Sequence, residues 1–274
     1  MGRSRPTNVT PVTPATAKQG AGELLREWRK ERRMSQLDVA LEAGVSARHL
    51  SFVETGRAKP SREMVLMLAE HLEVPLREQN ALLLAAGYAP AFSEMDLEDE
   101  QMRPVRDALD AILKGHEPYP AVIVDREWEI VASNSPAAVL LEGVSEELIA
   151  PPANALRITL HPDGMAPRIL NFPEWSGHLL TRLHRQALLS QDSALAELER
   201  ELLGYPGVEQ ASGLAEPEEM LFVPLRLRLP NGAVLSMFST IATFGTALDI
   251  TLEELSIESF FPADEATKDY LRGN

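Results

Sequence analysis

Ser46, Arg48, His49 and Ser51 crowd hydroxyl, guanidinium and imidazole groups into one short stretch, with Ala47 between them, and the cations Arg57, Lys59 and Arg62 follow soon after. The chemistry these types suit is noncovalent: polar side chains hydrogen-bond to base edges, and cations neutralise phosphates. Two short helices must present them. In RMSQLDVALEAGVSARHLSFVETGRAKP, from Arg33 to Pro60, Ser35 stands at an N-cap position. Asp38 follows three residues later, so the pair satisfies orphan donors of a helix beginning at Gln36. Leu37, Ala40 and Leu41 read as that helix's apolar face. Ala43-Gly44-Val45 makes a tight turn with Gly44 in the left-handed region, and Ser46 caps the next helix, which turns Leu50 and Val53 inward. Ser46, Ala47, Arg48, His49 and Ser51 are left facing out, a geometry that fits a major groove. The plainer reading of the same pattern is a helical hairpin that touches no nucleic acid.

Covalent chemistry finds no anchor. The histidines, at 49, 71, 116, 161, 178 and 184, show no HxxxH or HxxEH spacing, and there is no cysteine for a thiolate site, nucleophile or disulfide. HPDG at His161 reads as a turn. GxSxG, GxGxxG and Walker-type loops are absent, so an enzyme is not expected.

The net charge of −15 argues against a nucleic-acid partner until it is divided along the chain. Residues 1–90 carry 13 Lys+Arg and 10 Asp+Glu, net +3, and residues 91–274 carry net −18. The basic side chains Arg48, Arg57, Lys59 and Arg62 would cluster at a groove edge, while the acidic remainder suppresses non-specific binding. Affinity for DNA should fall steeply with salt. No apolar run approaches the roughly 20 residues of a membrane span, and no hydrophobic signal core opens the chain, so a cytoplasmic location is expected.

In chain order, residues 1–17 read as a disordered segment, either a plain tail or a minor-groove arm carrying Arg3 and Arg5. A helix from about Gln19 to Arg33 points Leu24, Leu25 and Trp28 at a core. A fourth helix after Pro60-Ser61 carries Met64, Val65, Leu68 and Leu72, and a fifth runs from about Leu76 to Ala86. Residues 18–90 thus read as one all-α, five-helix domain. Residues 91–117 form an acidic linker and a connecting helix with Val105, Leu109 and Ile112 on one side.

Residues 118–274 read as an α+β domain. Ala121 to Val124 is a buried strand, Asp125-Arg126-Glu127 a turn, and Trp128, Ile130 and Ala132 alternate in the returning strand, followed by Asn134 and a helix over 137–141. Met220 to Leu229 and Ala233 to Phe244 flank Pro230-Asn231-Gly232, a hairpin signal. Counting outward from Asn231-Gly232 pairs Leu229 with Val234, Leu227 with Ser236 and Leu225 with Phe238 on one apolar face. Between the hairpins lies a helical insertion in which Phe172, Trp175, Leu179 and Leu183 form a stripe, with His178 and Arg182 near its edge. That stripe is either filled core or part of a cavity lined by Trp128, Phe172, Trp175 and Phe238.

These runs carry a resemblance. Residues 33–60 resemble the helix-turn-helix of the Xre/Cro type, and SARHLSFVETGRAKPS resembles the MmyB-like regulators more narrowly. The insertion and FGTALDITLEELSIESFFPADEAT are similar to the ligand-binding domain of the same family. The order strand, turn, strand, Asn, helix resembles the opening of a PAS-like fold. The resemblance implies a lambda-repressor-like DNA-binding domain followed by a PAS-like sensor. It implies that Gln36 binds phosphate and buttresses the reading side chains, that Arg48, Ser46 and Ala47 face base edges, and that Arg29 pairs with Glu54. The recognition helix lacks the glutamines that phage repressors use for reading. In the sensor, Trp128, Phe172, Trp175, His178, Arg182 and Phe238 would meet a small apolar effector, fatty-acid-like by the resemblance, with no other cofactor expected. The partners implied are a pseudo-palindromic DNA operator and a second copy of the chain in a homodimer. The alternative is a regulator whose C-terminal domain is a ligand-free dimerisation or protein-interaction module.

Overall fold

The computed structural model describes residues 20–190, 192–208 and 223–273. The expected segment over 1–17, with Arg3 and Arg5, and the expected strand start at Met220 lie outside the described residues. The chain divides into two compact units, Met1–Ser93 and Glu94–Asn274.

In the first unit, α1 (Ala21–Glu31), α2 (Gln36–Glu42), α3 (Ala47–Glu54), α4 (Arg62–His71) and α5 (Leu76–Ala85) surround one core. Local signals set their starts. Ser35 Oγ accepts the Asp38 N–H at 3.1 Å and Asp38 returns the bond to the Ser35 N–H at 2.8 Å, completing a capping box. Ser46 and Ser61 cap α3 and α4 through the N–H groups of His49 and Met64. Gly44 ends α2 at φ 64°. Leu24, Leu25 and Trp28 of α1 meet Leu50 and Val53 of α3 and Val65 and Leu68 of α4 in the core. At Gly22 of α1 a Cβ would run into the Val53 carbonyl oxygen, so glycine sets how closely α1 and α3 approach. One expectation fails: Leu37 and Leu41 are 58% and 72% exposed, and α2 buries Val39 and Ala40. Both stripes are apolar, and in a helix of two turns the neighbours, not the periodicity, decide which is covered.

In the second unit, α6 (Arg103–Gly115) precedes β1 (Ala121–Val124) and β2 (Ile130–Ser133). α7 (Ala138–Leu141), α8 (Glu146–Ile149), α9 (Ala155–Leu160), α10 (Phe172–Ser190) and α11 (Ser193–Leu203) follow. The chain then forms β3 (Leu225–Arg228), β4 (Val234–Thr243), α12 (Ile250–Glu254), β5 (Ser256–Pro262) and α13 (Glu265–Arg272). Among the described residues five strands make one antiparallel sheet in the order β2-β1-β5-β4-β3, with the last strand central. This is a PAS-like α+β architecture. One sheet face packs Ala121, Ile123 and Ile257 on Leu109 and Leu113 of α6. The opposite face carries Val124, Leu225, Leu227, Met237 and Phe260 against the helices that follow β2.

Three sequence expectations are corrected here. The α6 stripe is Leu109 and Leu113, whereas Ile112 is 40% exposed. Trp128 lies before the strand, buried in the turn at φ 67°. Leu225 pairs with Met237 and Leu227 with Leu235, one residue from the expected register. The cause is the turn: Leu229 N–H bonds to Ala233 O at 2.8 Å around a three-residue loop with Gly232 at φ 90°, where the Asn231-Gly232 signal predicts a two-residue loop. Finally, SIESFFP was not foreseen as a strand at all.

Candidate nucleic-acid interface and effector cavity

The first unit brings the expected reading residues together on α2, α3 and the loop after it. Arg48 and His49 are exposed on the first turn of α3, Ser46 is exposed as its cap, and Ala47 and Ser51 are half-buried, Ala47 packing against the core. The Arg48 guanidinium lies 5.5 Å from the Phe52 ring centroid, one turn further along the same helix, which restrains its direction. Arg57 and Lys59 are exposed in the loop and Arg62 opens α4. Lys59 Nζ sits 4.9 Å over the Tyr88 ring, whose hydroxyl donates to Pro60 O at 3.0 Å. Phe52 and Tyr88, which orient the two cations, were not foreseen; an aromatic four residues after a surface arginine is the signal that could have found the first.

Behind α3 lies a charged network. Arg29 Nε and Nη2 donate to both oxygens of Glu54 at 2.6 and 2.9 Å, its Nη1 donates to Met34 O, and Gln36 Nε2 donates to Glu54 Oε2 at 2.8 Å. Burial of Glu54 works against its ionisation, but the bonds from Arg29 and Gln36 overcome it, and the carboxyl is held below its ordinary value of 4.5. Glu54 raises Arg29 in turn through the same bonds. The network ties α1, the start of α2 and the end of α3, so Gln36 is held from behind.

The second unit holds a partly open cavity of about 280 Å³. Its walls come from the sheet, through Val122, Leu225 and Phe260, and from aliphatic residues of α7, α9 and the Pro151-Pro152 segment. Of the six ligand residues expected from the sequence, Trp128 and Trp175 line it. Phe172 packs against the same core next to Gly207. His178 lies 5.9 Å from the Trp175 ring and Arg182 4.4 Å over the Trp128 ring, both adjacent to the lining rather than in it. Phe238 is on the opposite sheet face, stacked on Phe261 at 5.3 Å, as the corrected register requires.

Trp128 is locked despite its left-handed backbone. Its Nε1–H donates to Gln186 Oε1 at 2.8 Å, Gln186 donates to Arg126 O, and the Ala155 N–H bonds to Trp128 O at 2.8 Å. A bulky residue at positive φ persists only where its surroundings over-determine it. Glu258 is the lining residue that the sequence reading missed most plainly. It stands on central β5, 8% exposed, and burial pushes its carboxyl up against the opposing effects of Ser239, Arg182 and His178. Burial likewise pushes Arg182 down, so desolvation outweighs attraction for both groups. Among the described residues no three His, Cys, Asp or Glu side chains are grouped to hold a metal, and no helix is long and apolar enough to cross a membrane.

Two family models agree with this division. Residues 25–79 match the helix-turn-helix family model. The solved structure of an RNA-binding light-oxygen-voltage receptor is similar at 12% identity and a TM-score of 0.28, over 99% of this chain and 67% of that one. No curated protein matches. Residues 105–273 match the model of the MmyB-like transcription regulator ligand binding domain. That match spans more than half of the chain, which therefore belongs to this family, as a DNA-binding regulator with a helix-turn-helix domain ahead of a PAS-like domain.

Proposed function

We propose that this regulator senses a small, predominantly apolar effector held in the cavity beside Trp128 and Trp175, and that occupancy modulates its binding to an operator. The observation that carries the reading is the cavity itself: a partly open pocket of about 280 Å³, lined mainly by aliphatic and aromatic side chains and walled on one side by the sheet. Gln36, Ser46, Ala47, Arg48, His49 and Ser51 would meet the operator, with Arg57, Lys59 and Arg62 on its phosphates. A homodimer would set two recognition helices about one DNA turn, ~34 Å, apart on a pseudo-palindrome. An effector shifts such an equilibrium only by its differential affinity for the two states. A fatty-acid-like molecule of modest length is the effector class the family suggests.

The test is denaturing extraction and mass spectrometry of the purified protein, beside a gel shift on its own upstream DNA with and without the extract. A stoichiometric apolar molecule that alters the shift supports the reading. A protein that is empty from its native host and shifts DNA regardless of extract leaves the C-terminal domain as an assembly module.

A further inference from the structure

The two compact units adjoin in sequence at Ser93 and Glu94, and side chains bond the backbone on both sides of that boundary. On the first side Asn80 of α5 uses its whole amide. Its Oδ1 accepts the N–H groups of Ala91 and Phe92 at 2.8 and 3.1 Å, and its Nδ2 donates to Phe92 O at 2.8 Å. On the second side Met95 is held at both of its backbone polar groups. Its N–H donates to Asp249 Oδ2 at 3.2 Å, and its carbonyl accepts the Thr251 hydroxyl at 2.7 Å. Asp249 is 6% exposed and caps α12 through its other oxygen, so this clamp is rooted in the helix that leads into β5. Leu97 then packs against the core of Leu109, Leu113 and Ile257, and Arg106 donates to the carbonyls of Leu97 and Asp99. Each clamp lies within one unit, and Ser93 and Glu94 stand between them. The acidic composition of residues 91–102 conceals this, because a charged run with an unbonded backbone behaves as an extended, self-repelling tether.

We propose that these two clamps shorten the tether between the units to two residues, and that in the homodimer this fixed tether restricts the operator to one spacing between its half-sites. This rests on the homodimer and operator proposed above and adds what selects the operator's geometry. Two residues extend at most ~7 Å. Without the clamps the tether runs over residues 89–96, between Tyr88, whose N–H bonds to Leu83 O, and the packed Leu97. That length reaches ~28 Å fully extended. Moving one half-site by three base pairs displaces it ~10 Å along the duplex and turns it by roughly 100°. A clamped tether lacks that slack, and a released one has it. On slack tethers each unit finds its half-site at an effective concentration that changes little with spacing.

The experiment selects binding sites from random-sequence DNA with the full chain. Salt-controlled gel shifts follow, on the selected site and on versions with three base pairs added or removed between half-sites. Wild type should select paired half-sites at one spacing and lose at least about tenfold in affinity on respacing. Asn80→Ala with Thr251→Val removes the first clamp and leaves Met95 its 3.2 Å bond to Asp249. It should select the same half-site sequence and lose no more than about threefold on respacing. A second variant inserts Gly-Ser-Gly-Ser between Ser93 and Glu94, keeps every clamp, and should tolerate respacing equally well. The insertion touches no helix or strand, so it decides the outcome if the substituted protein fails to fold. Unchanged spacing selectivity in either folded variant, or a wild type indifferent to spacing, overturns the inference and leaves the dimeric regulator standing. Selection of single, unpaired half-sites overturns the homodimer and this inference with it. Failure of wild type to select any site overturns the operator reading as well.

Discussion

Glu54 ends α3 with its side chain 1% exposed, and Arg29 of α1 opposite it is 11% exposed. Glu54→Ala removes the acceptor of two charge-assisted bonds from Arg29 and one from Gln36, and leaves a guanidinium with Met34 O as its remaining hydrogen-bond acceptor. Breaking one side of a buried ion pair costs about 3–5 kcal/mol. Arg29 keeps the carbonyl and some solvent, so the lower end applies, about 3 kcal/mol. Glu54→Gln preserves shape and one acceptor and should cost about 2 kcal/mol. Arg29→Met with Glu54→Leu replaces the pair by apolar volume and should return to within about 1 kcal/mol of wild type.

Hydrogen exchange of the α1 and α3 amides in the full chain reads these numbers locally: about 3 kcal/mol is roughly a hundredfold loss of protection. Because the folded Glu54 carboxyl is held below its ordinary 4.5, its contribution is full above that pH and is lost as pH falls through the depressed value. The protection difference between wild type and Glu54→Gln should therefore be constant above about pH 4.5 and shrink below it. A loss under about fivefold in Glu54→Ala, or a double variant as weak as Glu54→Ala, would refute the account of the pair as a buried clamp.

Arg48→Ala should lower operator affinity at least about tenfold in a salt-controlled gel shift while leaving thermal unfolding unchanged, and normal affinity would remove Arg48 from the reading set. Gly22→Ala drives a methyl into the Val53 carbonyl and should destabilise the first unit by about 3 kcal/mol, read as a fall in the α1 and α3 protection. Gly232→Ala forces a side chain to φ 90° in the β3–β4 turn and should cost about 1–3 kcal/mol in calorimetric unfolding, with no effect on DNA affinity.

The helix-turn-helix was legible because its signals are local. A cap and its partner lie three residues apart, a left-handed position admits glycine, and no distant neighbour can change either. Where a distant neighbour decides, the reading failed. Leu37 and Leu41 looked like a core stripe because nothing within α2 says that Val39 faces the core. The central strand hid for a related reason. β5 sends Ile257 into one core and Phe260 into the other, so it lacks the polar alternation of a strand with one wet face. Its glutamate reads as a surface residue until both neighbouring strands are in place.

The misplaced ligand residue follows from the turn. Counting the hairpin as a two-residue loop shifted its register by one, and a one-residue slip sends each side chain to the opposite face. Phe238 was thereby assigned to the cavity, although Met237 is the residue that faces inward. The two lining residues that sequence did find, Trp128 and Trp175, are held by different means: one by a strained turn with every polar group satisfied, the other by the helix α10 with its indole N–H unsatisfied. A fully bonded tryptophan builds a wall.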